Sequence, residues 1–376
     1  MGTFSRLLPA LCLAAALPAD AFAADLAPLL KKLLAVGPGG AGNREARQAW
    51  QEVARADASQ LPAVLAALDE AGPLAANWIR CAADAIAERA VHSSGKLPRQ
   101  ELERFVLERR HAPRARRLAY EWLVRVDPTA RDRLIPGMLD DPSVELRRDA
   151  VARLIDEAAR LAEGGSTGKA VPLWRKALTA ARDLDQIELL AARLKEQDEP
   201  VDLARHFGFL VRWKLIGPFD NTGEKGYDVA YPPEREVDLA ASYPGKHGPV
   251  GWIDHETEHR FGRVDLNKAL GEEKQVVGYA AAEFYSDRKR QVEFRLASDN
   301  AVKLWLDGAL IDAHDVYHAG SQFDQYASRG VLRPGRNVIL VKVCQNAQTQ
   351  NWARGWSFQL RVCDATGGAV LSSDRE

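Results

Sequence analysis

The spacing of apolar residues changes at about Phe207, and this change most limits how the 376-residue chain can fold. Before it, apolar residues recur every third or fourth position among Ala, Leu, Arg and Glu, the period of a helix with one buried face. Beyond it they alternate in short runs separated by Gly, Pro, Asn and Asp, the period of half-buried strands. The chain also exceeds the roughly 100 to 200 residues of one ordinary domain. A helical domain is therefore expected over residues 25–207 and an all-β domain over residues 208–376.

A short pattern recurs in the helical part: Arg-Gln-Ala-Trp from Arg47, Arg-Cys-Ala-Ala from Arg80, Arg-Leu-Ala-Tyr from Arg117 and Arg-Asp-Ala-Val from Arg148. The steps are each about the length of a helix, a turn and a second helix. Such a pair leaves an apolar face that only the next pair can bury. Small Ala49, Ala82, Ala119 and Ala150 would let helices approach closely, and the four arginines are expected near turns, bonded to open carbonyls. The clearest unit is LIPGMLDDPSVELRRDAVARLIDEAARL, with Asp141-Pro142 at its turn followed by Leu146, Arg147 and Ala150. It resembles HEAT repeats, and the resemblance implies an α-solenoid with a protein-binding surface. Residues 163–174 do not make a phosphate loop, because Glu163 stands at the first Gly position and Ala170 at the Ser/Thr position.

In the second part, QVVGYAAAEFY, RQVEFRLAS, AVKLWLDG, NVILVKV and WSFQLRVC read as strands, with turns such as Asp307-Gly308 between them. Many short antiparallel strands suggest a sandwich or jelly roll. WKLIGPFDN, YPPE, YPGKHGPVGW, LASDNAVKLWLDG and LRPGRNVILVKV resemble the galactose-binding-like β-sandwich modules of secreted bacterial proteins, and similar stretches occur in jelly-roll accessory domains of glycoside hydrolases. The resemblance implies a jelly-roll fold and a module able to bind glycan, calcium or a protein partner.

Residues 1–23 read as a secretory signal, with Arg6, an apolar run from Leu7 to Leu17, and Ala21-Phe22-Ala23 as a cleavage site. The run is too short to span a bilayer comfortably, so an exported chain is expected, periplasmic, extracellular or at the cell surface, with no membrane span. Cys12 would leave with the signal, and Cys81, Cys344 and Cys363 would remain. Export permits a disulfide between Cys344 and Cys363, although a simple hairpin would set them at different heights. The 51 Lys and Arg balance the 52 Asp and Glu, which argues against a nucleic-acid partner.

Three groups of residues carry candidate chemistry. His255-Glu256-Thr257-Glu258-His259 fits the His-Glu-x-x-His pattern of zinc proteases, which needs both histidines on one face of a helix. Gly248, Pro249, Gly251 and Gly262 crowd the segment and it has no apolar face, so the match of His255, Glu256 and His259 is read as coincidence in a solvent-facing stretch. Alternation turns Trp305 away from Val302, Leu304 and Leu306, and Trp352 lies in the amide-rich loop QNAQTQNWARG, so both are candidate platforms for a sugar ring. Trp356 shares a face with Phe358, Leu360 and Val362 and reads as core. Asp299, Asn300 and Asp307 offer oxygens of the kind calcium prefers.

These readings converge on an exported, non-catalytic binding or scaffold protein, with no cofactor beyond a conceivable calcium and with a protein or a glycan as partner. The alternative is an accessory or catalytic component of extracellular glycan processing, in which Glu256 and Glu258 would be the exposed acids. A zinc metallopeptidase is the remote third reading.

Overall fold

The computed structural model describes residues 26–94 and 96–374, so the expected signal over residues 1–23 lies outside the described residues. The chain forms two compact units, Met1–Pro136 and Gly137–Glu376. Helices and antiparallel sheets are both present, and no described helix is long and apolar enough to cross a membrane.

The first unit holds α1 (Ala27–Leu34), α2 (Asn43–Val53), α3 (Leu61–Ala66), α4 (Pro73–Ser94), α5 (Arg99–Leu107), α6 (Pro113–Val126) and α7 (Ala130–Leu134). Pro in the first turn of α1, α3 and α6 presets the backbone where no donor is needed. α1 packs on α2 and α4, α3 on α4 and α6, and α5 on α6. Ala49, Ala82 and Ala119 are buried at these contacts. The arginines that precede them, Arg47, Arg80 and Arg117, sit within α2, α4 and α6. Each lies two residues before its alanine, about 200° around the helix, and so faces away from the contact. Arg80 pairs with Asp84 and Glu121, and Arg117 with Glu121. Open carbonyls are met by arginines elsewhere: Arg89 donates to Ala54 and Ala56, Arg114 to Leu68 and Ala71, and Arg116 to Val106.

The second unit begins with α8 (Val144–Glu163), α9 (Thr167–Ala180), α10 (Leu184–Lys195) and α11 (Leu203–Phe207). Ser143 caps α8 by accepting the Leu146 N–H, and Arg148 bridges to Asp185 at the start of α10. The change of period at Phe207 is thus a change from helix to strand inside one unit. The chain continues through β1 (Arg212–Asp220), α12 (Pro232–Arg235), β2 (Ser242–Pro244), β3 (Pro249–Gly251), β4 (Ile253–Glu256), β5 (Val264–Asp265) and α13 (Leu266–Leu270). It ends with β6 (Val276–Ser286), β7 (Arg290–Ser298), β8 (Val302–Leu306), β9 (Ala309–His314), β10 (Tyr326–Leu332), β11 (Gly335–Gln345) and β12 (Ser357–Cys363).

One sheet runs β4-β1-β6-β11-β8-β9, another β10-β7-β12-β5, and β2-β3 form a small pair; every pairing is antiparallel. The two larger sheets share a core in which Phe284, Leu304 and Ile339 of the first meet Phe294, Phe358 and Leu360 of the second. The outer face of the six-stranded sheet is covered as well. Ile216, Tyr279, Trp305 and Leu340 pack there against Tyr227, Tyr231, Val237, Leu239 and Trp252, which come from the long segment between β1 and β4. Helices join the other side through Phe207, Phe209, Phe261 and Phe323, whose rings meet at 5.0–6.2 Å. Arg361 of β12 donates to the Phe207 carbonyl and to Asp324 at that junction.

Cys344 and Cys363 are both free thiols. They lie in different sheets, so their strands do not form the simple hairpin considered from the sequence. Burial pushes the Cys344 thiol up to about 12 and that of Cys363 up to about 11.

Candidate functional site

His255 to His259 occupy the end of edge strand β4 and the loop that follows, not a helix. The Thr257 hydroxyl donates to the Arg263 carbonyl at 2.6 Å and closes this loop. Rings at these positions therefore lack the one-face, one-turn-apart relation of a zinc helix. Among the described residues no three His, Cys, Asp or Glu side chains are grouped to hold a metal.

Glu256, Glu258 and His259 are exposed, and the segment also lines a cleft. The cleft has a volume of about 780 Å³ and is also lined by Asn267, Lys268 and Arg354. Glu256 to His259 also line an adjoining cleft of about 680 Å³ beside α11. Burial lowers the pKa of His255, and burial, Arg263 and Arg260 lower that of His259, so both imidazoles favour the neutral form. His259 Nδ1 accepts the Phe261 N–H at 3.2 Å, which leaves Nε2–H as its donor. His255 Nε2 is buried and has no hydrogen-bond partner. Glu256 pairs with Arg212 at 3.4 Å, whereas Glu258 makes no ion pair among the described residues.

Trp352 is 65% exposed, more than any other large apolar side chain described as exposed. It stands on the short turn Asn351–Ala353, with the His318 ring edge-on at 5.3 Å. His318 Nε2–H donates to Asn346 Oδ1 at 2.8 Å, and Asn346 Nδ2 donates to Glu224 Oε1 at 3.0 Å. These bonds leave His318 Nδ1 and the second Glu224 oxygen as acceptors, with the imidazole against the indole. Asn346 belongs to the amide-rich loop that the sequence singled out. His318 and Glu224 come from remote loops and carry no local signal except backbone strain, with φ of 57° and 64°.

The other sequence candidates sit differently. Trp305 faces outward from the two-sheet core, as alternation predicts, yet is only 7% exposed because the segment between β1 and β4 covers it. Asp299 accepts from Arg263 and from Ser357, and Asn300 is buried with its amide donating to the Gly355 carbonyl. Asp307 forms the β8–β9 turn at φ 50°, accepting from Val338 N–H and Arg333. The five residues of β8 hold it about 17 Å from Asp299 and Asn300, so the three do not converge on one cation. Trp356 lies in the core, 1% exposed.

No family model matches the chain, and no curated protein matches it either. Among solved structures it is similar to a β-glucuronidase from an uncultured Clostridium species, at 13% identity and a TM-score of 0.26, over 42% of this chain and 28% of that one. A β-galacturonidase of glycoside hydrolase family 2 from Eisenbergiella tayi gives 11% and 0.23, over 41% and 25%. A family 31 α-xylosidase from Xanthomonas citri gives 16% and 0.19, over 30% and 15%. The chain thus spans less than a third of the length of each. All three are glycoside hydrolases, which stands against the expectation of a non-catalytic chain without assigning this chain an activity. At these TM-scores the likeness carries no argument about substrate or reaction, and those rest on the site.

Proposed function

We propose that the chain is a component of glycan processing whose two-sheet region holds a saccharide on Trp352. One observation carries this reading: an indole exposed on a clamped turn, with an imidazole edge-on to it that is hydrogen-bonded in turn to an amide and through that to a carboxylate. An aromatic face stacks on the C–H face of a sugar ring, and fixed acceptors beside it select the hydroxyls. Two larger antiparallel sheets on a shared core suit a galactose-binding-like jelly roll. Helix pairs stacked through buried alanines suit a HEAT-like solenoid, which would offer a protein partner its surface. Export through residues 1–23 belongs to the same reading.

Isothermal titration of the full chain against neutral sugars tests it. Trp352→Ala is expected to weaken binding about thirtyfold, the equivalent of about 2 kcal/mol for truncating a central Trp. Undiminished affinity in that variant would remove the site.

A further inference from the structure

We infer that the ligand is an uncharged oligosaccharide, with one unit on Trp352 and further units laid along the cleft wall of Glu258 and His259. The inference rests on the reading of Trp352 as a sugar platform and adds chain length, charge class and a second contact region.

Covalent geometry ties the two regions together. Arg354 lines the cleft two residues beyond Trp352, and two residues of chain reach at most about 7 Å. The intervening backbone is held by three side chains. Lys274 donates to the Ala353 carbonyl at 2.7 Å, Asn267 to that of Arg354 at 2.9 Å, and Gln345 to that of Gly355 at 3.0 Å. The platform and the cleft wall therefore keep a fixed relation. With about 780 Å³ in this cleft, and about 680 Å³ in the one that shares Glu256 to His259, the space exceeds what one sugar ring fills.

The charges around the cleft specify the class. Asp265 lies 3.6 Å from Lys268, Arg263 bonds Asp299, and Glu256 bonds Arg212, so these are spent on one another. The groups left over are the Glu258 carboxylate, the Arg354 guanidinium, the His255 Nε2, the His259 Nε2–H and the Asn267 side-chain oxygen. One is negative, one positive and three neutral, which matches hydroxyls that both donate and accept and gives no net pull on a polyanion.

The test is calorimetric titration of the full chain with neutral hexasaccharides of glucose, xylose, mannose and galactose, each beside its monosaccharide and with hexagalacturonate as the charged arm. At least one neutral hexasaccharide should bind about tenfold or more tighter than its monosaccharide. Trp352→Ala should weaken both, whereas Arg354→Ala and Glu258→Gln should narrow the ratio between them. Equal affinity for hexasaccharide and monosaccharide, an unchanged ratio in both cleft variants, or tighter binding of hexagalacturonate would overturn the inference while leaving the Trp352 site standing. Binding of none of these sugars would overturn both. Arg354 and Glu258 are exposed, and an unchanged thermal midpoint would separate loss of contact from loss of fold.

Discussion

Lys342 is completely buried on β11, and an ammonium there persists because acceptors surround it. It donates to the carbonyls of Tyr227 and Val229 at 2.9 Å and to Glu234 Oε1 at 2.8 Å. The Tyr279 hydroxyl donates to the same carboxylate. Burial lowers the Lys342 pKa, and the bond to Glu234 works against that shift. Removing one member of a buried pair leaves the other charge uncompensated, so Lys342→Met should lower stability by about 3 kcal/mol in denaturant unfolding. Adding Glu234→Gln should restore part of the loss; a single variant as stable as the parent would show that the pair holds nothing in place. In NVILVKV the lysine reads as the polar member of an alternating strand, and Trp305 reads the same way in AVKLWLDG. Alternation correctly assigns both to the outer face. It does not reveal that Tyr227 to Trp252 fold back over that face, because the covering residues are scattered through a segment with no period of its own.

At the scale of elements, α6 begins with help from a neighbour. Asp69, in the turn before α4, accepts the Ala112 N–H at 2.7 Å, and its other oxygen accepts from His111 Nδ1 at 2.7 Å. The His111 ring stacks on Phe105 of α5 at 3.9 Å. The carboxylate thus satisfies a donor at the helix entry, although it lies far from that helix in sequence. Asp69→Ala should cost about 1 kcal/mol, and Asp69→Asn less, since an amide oxygen still accepts from Ala112. Differential scanning calorimetry would show this as a graded fall in the first unit's transition, and equal falls for both variants would place the stabilisation in charge instead. Helix existence was legible from the 3.6-residue period, but such remote caps are not. β9 and β10 escaped for another reason. They are edge strands of their sheets, and ALIDAH and YASRGVL carry weak alternation because each has one neighbour and a largely solvated face. β4 is an edge strand too, which explains why His255 to His259 could look like a charged loop and still wall two clefts.

For the whole molecule, the boundary that the sequence placed at Phe207 falls where helices and sheets of one unit are fastened to each other, and this makes acid a probe of the junction. His206 sits beside Phe207 there; burial, with Arg182 and Arg361 nearby, lowers its pKa from 6.5 to about 4. The folded state therefore binds fewer protons than the unfolded state between those values. Stability from this group is fully present above about pH 6.5 and is lost as the pH falls through about 4. His255 and His259 are shifted in the same direction and add to the trend. Asp324 acts in a lower window: burial raises its pKa, but bonds to Arg361 and Arg295 more than reverse this, so its contribution fades as pH falls below the ordinary aspartate value of 3.8. Between pH 7.5 and pH 5 the histidines dominate, and the thermal midpoint of the second unit should fall. His206→Gln cannot take up that proton, so its midpoint should fall less over the same interval. A midpoint that is flat from pH 7.5 to pH 5, or one that falls equally in the variant, would mean that protonation of His206 is not what loosens the helices from the sheets.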